Sequence, residues 1–371
     1  MKKLNFIIKC GLALLLLSFY SCESWLNVTP SDRLSEEMLF NDREGFVKAL
    51  NGVYIELNTN ELYGRNLTAG ALDVMGQYYS VASSSHAFYN YGGLVYTGND
   101  EKALFDNMWQ KCYAVIACCN TIIEKCDENK AGLSPVWKGA IKGEALALRA
   151  MLHFDMLRLF GPLTSELDKE SIPYQTNSDQ TVTPLLSGSE VVGLILDDLK
   201  NAVGLLKDTD PYFVEEEFSD TDLNYRRFRM NYFAAKGLMA RVQLWGGDKE
   251  KAAATAKEVI AEGQAEGAEF FPFVTNSEAT SSNPDRVFYS EVLFGTYHSS
   301  REKLHEDLFA PTLESTSILT LAGTARRDDL YDNENDYRYS VWSTYNKNGT
   351  SVLYHRKFEK QDNVTASRQY M

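Results

Sequence analysis

Aromatic side chains crowd into a short polar stretch between residues 78 and 96. They are Tyr78, Tyr79, Phe88, Tyr89, Tyr91 and Tyr96. Serine, histidine and asparagine stand among them, for example Ser83, His86 and Asn90. A sugar ring presents an apolar C–H face and a rim of hydroxyl groups, which a flat ring beside amide and hydroxyl groups would complement. The composition therefore predicts a surface that recognises carbohydrate. For any single ring, packing of the loop onto the scaffold is the alternative.

A second aromatic group occurs late in the chain and has the same chemistry. Its members are Tyr297, Trp342, Tyr345 and Tyr354. We predict that Tyr297, Trp342 and Tyr345 join the rings of the first group in contacting a ligand.

Catalytic motifs do not account for these residues. The sequence contains no GxSxG, no HExxH, no phosphate-binding glycine loop and no dinucleotide fingerprint. The five histidines are scattered, and His153 is predicted to be a packed helix residue. We therefore predict no enzymatic activity and no cofactor. Hydrolysis stays an alternative, because a glycosidase needs only two carboxyl groups about 5–9.5 Å apart.

Two further patterns in the sequence could indicate a metal site or disulfides. Asp332, Glu334 and Asp336 resemble an oxygen-rich calcium loop without its central glycine, so a solvated acidic loop is predicted. Cys112, Cys119 and Cys126 repeat every seventh residue, about 10.5 Å apart along a helix, which is too far for disulfides. These cysteines are predicted to be small buried hydrophobes, with no metal bound.

The chain begins with the layout of a bacterial lipoprotein signal. Lys2 and Lys3 precede a short apolar run, and Cys22 follows the small residue Ser21. We predict that residues 1–21 are removed and that Cys22 carries a lipid anchor, leaving residues 22–371 as one domain on a membrane surface. A buried N-terminal helix is the alternative. The formal net charge of −14 argues against nucleic-acid binding.

Helical periodicity organises the elements that must position the aromatic loops. Apolar residues recur at helical spacing over 35–57, 105–126, 136–160, 189–206 and a final pair, 230–245 and 249–262. Small residues in this final pair would allow close crossing, as in a tetratricopeptide-like unit. We predict an all-α superhelical scaffold of such helix pairs, with long irregular loops and little β-structure; an ordinary helical bundle is the alternative. Residues 287–297 alternate and could form a strand.

Four segments of the chain resemble the SusD/RagB-like outer-membrane lipoproteins of Bacteroidetes. They are CESWLNVTP at 22–30, ALNGVY at 49–54, GEALALRA at 143–150 with LFGP at 159–162, and AKGLMARV at 235–242. The resemblance implies a helical scaffold with tetratricopeptide-like pairs and a lipid-anchored place on the cell surface, at the outer membrane. It also implies capture of oligosaccharides or polysaccharides and their delivery to a TonB-dependent, SusC-like transporter.

The resemblance locates the ligand face in loops, by position residues 78–96 and roughly 297–345, without assigning individual rings. Capture of peptides or glycopeptides, or a role as a protein-interaction scaffold, remains an alternative. Such proteins usually continue with a further helix, and Met371 lies about where it would begin. Whether the sequence is a fragment or a naturally short chain stays open.

Overall fold

The computed structural model describes residues 36–360 except 180, 219–221, 266–267, 332 and 334. The predicted signal peptide, Cys22, Asp332 and Glu334 lie outside the described residues.

Long helices form most of the described structure. The helices are α1 (Glu36–Leu39), α2 (Arg43–Leu57), α3 (Ala71–Met75), α4 (Tyr89–Gly92), α5 (Asn99–Glu128), α6 (Pro135–Phe160), α7 (Gly188–Thr209), α8 (Tyr232–Trp245), α9 (Lys249–Gly263), α10 (Asn276–Thr280), α11 (Arg301–Leu308) and α12 (Thr324–Leu330). Short 3-10 segments occur at Glu215–Phe218, Asp222–Asn224, Arg226–Phe228, Tyr289–Glu291 and Tyr337–Val341. The mainly α prediction is confirmed.

Strands are short and pair only as two-stranded antiparallel ladders among the described residues. They are β1 (Glu170–Pro173) with β2 (Leu185–Ser187), β3 (Gln264–Ala265) with β4 (Ala268–Glu269), and β5 (Trp342–Lys347) with β6 (Thr350–His355). The β5–β6 hairpin pairs Trp342 with His355 and Tyr345 with Val352. The sequence did not predict this hairpin.

Consecutive long helices pack against each other along the scaffold. Helix α6 lies between α5 and α7, α8 packs on α7, and α9 packs back on α8. Two glycines of α6 permit the closest approach: a methyl group on Gly143 would lie 2.7 Å from Cγ of Leu206. At Gly139 it would lie 2.6 Å from Cγ2 of Thr209. The core therefore follows the α5–α9 pairs, as the tetratricopeptide-like interpretation predicted.

Local sequence signals set the helix boundaries. Ser134 caps α6 and Pro135 occupies its first turn, where the missing N–H costs nothing. Ser187 and Glu190 form a reciprocal capping box at the start of α7. The single helix predicted over 35–57 is wrong, because the Asp42 side chain accepts a hydrogen bond from Gly45 N (2.8 Å) and caps a new helix there.

A buried ionic network joins the scaffold to the segment that precedes α8. Glu144 accepts hydrogen bonds from Arg226, from Arg229 and from the Tyr54 hydroxyl (2.7 Å). Arg226 also pairs with Asp210 at 2.8 and 2.9 Å. Because the network balances two guanidinium groups with two carboxylates, it fixes the 226–231 backbone without leaving an unpaired charge.

The predicted strand over 287–297 is wrong. Asp285 accepts hydrogen bonds from the backbone N–H groups of Val287 (3.1 Å) and Tyr289 (2.8 Å), which curls the chain. Phe288 takes a left-handed conformation (φ 52°) and a 3-10 turn follows over Tyr289–Glu291. An Asp-centred turn competes successfully with the extended conformation that the alternating pattern favours.

Several polar and sulfur-bearing residues of the helices are packed, as predicted. Cys112, Cys119 and Cys126 are free and buried, whereas Cys118 is exposed. His153 is buried, with Nδ1 2.9 Å from Arg149 O and Nε2 accepting from Gln175 N at 3.0 Å. Within the described ranges, no group of three or more His, Cys, Asp or Glu residues could hold a metal ion. None of the helices there is long and apolar enough to cross a membrane.

Candidate functional site

A cavity of about 570 Å³ opens between the loop around α4 and the segment that leads into α12. It is lined by Gln77, Tyr78, Tyr79, Ser80, Val81, Tyr89, Asn90, Gly92, Gly93, Val95, Ala322 and Arg326. Three of the predicted rings therefore meet in one cavity, beside amide and guanidinium groups. We call it the α4 cavity.

An aromatic cluster forms the wall behind the α4 cavity. Tyr79 packs 5.3 Å from Phe309 and 6.2 Å from Trp342, measured between ring centroids. Trp342 in turn lies 4.5 Å from the ring of His355. Burial raises the pKa of the Tyr79 phenol well above its usual range and lowers the pKa of His355 to about 3. Both groups are therefore neutral at ordinary pH.

Long-range hydrogen bonds join the two loops that form the cavity. Ser80 N donates to Thr320 O at 2.6 Å, and this isolated bridge pairs the two backbones. The hydroxyl oxygens of Tyr78 and Tyr331 lie 2.7 Å apart. The cavity wall is consequently held by contacts between residues that are more than two hundred positions apart in sequence.

The rim around α4 is shaped by two residues with positive φ. Gln77 (φ 60°) and Leu94 (φ 55°) adopt conformations that a side chain seldom takes, so tertiary contacts must hold them. The Gln77 amide donates to Gly92 O at 3.0 Å, across the loop. Asn90 Nδ2 donates to Glu101 Oε1 at 2.8 Å, which fixes the amide on α4 against α5.

Tyr89 and Arg326 are the exposed groups of the cavity that suit a ligand best. Tyr89 is 43% exposed, so its ring can be covered by a bound molecule. Arg326 is exposed and makes no ion pair with any carboxylate in the part of the chain that the structure describes. The described lining residues include no aspartate or glutamate. The cavity therefore offers groups for stacking and for hydrogen bonding.

The other predicted rings do not reach the α4 cavity. Phe88 and Tyr91 are buried and hold the loop on α5, where Tyr91 packs edge-on to Phe105 at 6.0 Å. Tyr96 is half-buried and also packs on Phe105, at 5.3 Å. Phe88 and Tyr91 expose too little ring surface to stack on a ligand, so the expectation is corrected for these two. Tyr96 lies outside the α4 cavity, and its ligand contact stays a prediction.

The late aromatic group is divided among three places. Trp342 is 4% exposed and belongs to the wall, so its predicted ligand contact is also corrected. Tyr345 is 40% exposed on the hairpin, because residues three apart on a strand point to opposite faces. Tyr354 is half-buried on β6, and Tyr297 lines a separate cleft.

Sequence reasoning missed Arg326 and Gln77. Arg326 lies in the first turn of α12, after Gly323 (φ 111°), and no sequence motif marks it as a ligand residue. Its nearness to Tyr89 depends on the pairing of Ser80 with Thr320, which no local pattern reports.

A smaller cavity of about 450 Å³ shares Tyr78 and Tyr79 with the α4 cavity. Asp73 and Lys357 line it. Burial raises the pKa of Asp73 to about 6 and lowers the pKa of Lys357. This acidic group accordingly titrates closer to neutrality than an exposed aspartate does.

Solved structures with the same fold come from the SusD superfamily. A SusD superfamily protein from Bacteroides vulgatus superposes with a TM-score of 0.66 at 18% identity, covering 88% of this chain and 70% of that one. Another from Bacteroides thetaiotaomicron has a TM-score of 0.67 at 18% identity, covering 89% and 72%. A SusD-like carbohydrate binding protein from B. vulgatus has a TM-score of 0.65 at 20% identity, covering 89% and 67%. At this identity the likeness shows the fold.

Curated relatives are matched over part of their length. SusD-like protein P2 of Formosa agariphila is 26% identical over 265 residues, covering 70% of this chain and 46% of that protein. A SusD-like protein of Bacteroides ovatus is 30% identical over 146 residues, covering 38% and 23%. The chain spans less than half the length of these relatives. A family model described as "Starch-binding associating with outer membrane" matches residues 24–244. Because this match covers more than half of the sequence, the chain belongs to the SusD-like family.

Proposed function

We propose that this protein captures a glycan through the α4 cavity. The observation that carries the proposal is the exposed ring of Tyr89 beside Asn90, Gln77 and Arg326, at the edge of a rigid helical scaffold. An exposed ring can cover the C–H face of a sugar, and the amide and guanidinium groups can bond its hydroxyls.

The proposal includes a place on the outer surface of the cell. Residues 1–21 would be removed, Cys22 would carry the lipid, and the captured glycan would pass to a TonB-dependent, SusC-like transporter. The family description and the signal layout of the first residues support this location. If lipid is attached at Cys22, Cys22→Ala should abolish incorporation of radiolabelled palmitate. Unchanged labelling of that variant would contradict the anchor.

Affinity electrophoresis of the full-length protein through gels that contain single polysaccharides tests the capture. We expect that gels containing at least one class of glycan slow the migration of the protein. Gels cast with a protein such as casein should leave its migration unchanged. Retardation by the protein gel alone would replace glycan capture with the peptide alternative. Migration unaffected by every gel would contradict ligand capture of either kind.

A further inference from the structure

A second cleft, of about 410 Å³, is assembled from three segments that are distant in sequence. Ile55 lies in the last turn of α2 and Asn58 directly follows this helix. Tyr225 directly precedes the 3-10 turn before α8 and Phe228 ends it, and Tyr297 lies in the loop before α11. None of the residues lining this cleft lines the α4 cavity. We call it the Tyr297 cleft.

Large apolar groups are exposed together on the walls of the Tyr297 cleft. Ile55 is 68% exposed, Tyr225 is 64% exposed and Tyr297 is 43% exposed. Phe228 packs edge-on to Tyr297 with ring centroids 5.3 Å apart, which holds the Tyr297 ring in place. Single exposed hydrophobes are ordinary, but three that converge on one concave site mark a surface that a ligand covers.

The floor of the cleft contains two buried polar atoms without hydrogen-bond partners in the described part of the chain. Arg229 is 4% exposed; its Nε donates to Glu144 at 3.0 Å and its Nη1 to Asn51 at 2.7 Å, while Nη2 is unpaired. Asn58 donates through Nδ2 to Tyr54 O at 3.1 Å, and its Oδ1 is unpaired. The floor thus has one spare donor and one spare acceptor.

The balanced charges on the floor of the cleft favour a neutral ligand. Arg229 is neutralised by Glu144 within the network that also pairs Arg226 with Asp210, so two cations face two anions. A charged ligand would gain no counter-ion there. A neutral molecule with apolar faces and an edge of hydroxyls would cover the rings and satisfy both spare atoms. An apolar amino-acid side chain would cover the rings but leave Nη2 and Oδ1 unpaired.

We propose that the Tyr297 cleft is a second carbohydrate site. It takes a neutral sugar ring that stacks on Tyr297 or Tyr225, with hydroxyls directed to Arg229 and Asn58. This inference rests on the proposed function, since it assigns the same class of ligand. Two separate sites on one scaffold would let a single long glycan bind by avidity, provided that it spans both.

Hydroxyl-radical footprinting with mass spectrometry reads the two sites separately in one sample. The probes are maltoheptaose, cellohexaose and laminarihexaose added to the full-length protein. We expect at least one of them to protect both the peptide with Tyr89 and the peptides with Tyr225 and Tyr297. Oxidation should fall roughly by half when the free sugar concentration equals its Kd, since half of the sites are then covered.

Substituted variants test which rings bind the sugar. In Tyr225→Ala/Tyr297→Ala, the protection of Ile55 by sugar should disappear while protection of Tyr89 persists. Phe273→Ala, which removes a 74% exposed ring outside both sites, should change neither. Protection at Tyr89 alone would overturn the second site and leave the proposed function standing. Protection at Tyr225 and Tyr297 alone would overturn glycan capture through the α4 cavity and leave the second site standing.

Two other results would overturn the second site. No protection by any of the three sugars at either site would overturn both proposals. If N-acetyl-tryptophanamide protects Tyr225 and Tyr297 while the sugars do not, the cleft binds apolar peptide side chains instead.

Discussion

Trp342 shows that an aromatic residue can support the wall of a binding site without being exposed to the ligand. Its ring is buried against Tyr79 and His355, so it supports the wall of the α4 cavity. Removing a buried aromatic side chain leaves a cavity that the surroundings fill only in part. We predict that Trp342→Ala lowers the free energy of unfolding by about 3–5 kcal/mol, measured by urea denaturation.

Tyr345→Ala is the control for this substitution, three residues along the same strand. It removes an exposed ring and should change stability by no more than about 0.5 kcal/mol. If Trp342→Ala kept full stability and lost glycan binding, Trp342 would be a ligand residue and the assignment to the wall would be wrong.

The residue scale is also where sequence reasoning was weakest. The aromatic density of 78–96 identified the right loop, because residue type and polarity are local properties. Which rings are exposed depends on contacts that are remote in sequence, such as Tyr78 with Tyr331 and Tyr79 with Phe309. No spacing within the loop separates exposed Tyr89 from buried Tyr91.

At the scale of elements, Gly139 and Gly143 let α6 pack so closely on α7 that no room is left there for a methyl group. A methyl group at Gly143 would press on Leu206, although alanine is the better helix former. We predict that Gly143→Ala destabilises the protein by about 1–3 kcal/mol in chemical denaturation, because overpacking outweighs the gain in helix propensity.

Gly204→Ala in α7 is the matched control, since a methyl group there meets nothing within 4 Å. That substitution should stabilise the protein by about 0.5–1 kcal/mol. Equal stabilisation by both substitutions would show that α6 and α7 are farther apart than described.

Elements were predictable where one strong periodicity runs for many turns. The helix expected over 136–160 is observed at Pro135–Phe160, and that expected over 249–262 at Lys249–Gly263. The failures are short elements, where one side chain outweighs the pattern. Asp42 divides the first helix, and Asp285 converts an expected strand into turns.

At the scale of the whole molecule, buried histidines make stability depend on pH. Burial lowers the pKa of His153 and His355 from 6.5 to about 3. Between these values the unfolded chain binds more protons than the folded one, so stability should rise with pH from about 3 to 6.5. Burial raises the pKa of Asp73 from 3.8 to about 6. Between these two pH values the folded chain keeps the Asp73 proton that the unfolded chain loses, so this residue makes stability fall as pH rises.

The pKa values of His86, His298, His305 and Glu144 are lowered as well, and each of these shifts adds to the rise of stability with pH, so a net increase remains. Urea midpoints measured across this pH range should therefore rise, and His153→Gln, which cannot titrate, should make the rise smaller. A midpoint that is unchanged between acidic and neutral pH would contradict these lowered pKa values.

The whole scaffold holds the candidate sites rigidly on its surface. The ionic network around Glu144 carries the floor of the Tyr297 cleft, and the Tyr79 cluster carries the wall of the α4 cavity. Both sites thus stand on buried, well-packed supports, which limits the entropy that is lost when a ligand binds.

The most direct test of the central claim is the dissociation constant of a retarding glycan, measured by isothermal titration calorimetry with an oligosaccharide short enough to fill one site. We predict that Tyr89→Ala weakens binding at the α4 cavity at least tenfold, or about 1.4 kcal/mol, while Phe273→Ala, at an exposed ring outside the cavity, leaves it unchanged. Unchanged affinity in Tyr89→Ala, with the fold intact, would contradict capture through the α4 cavity.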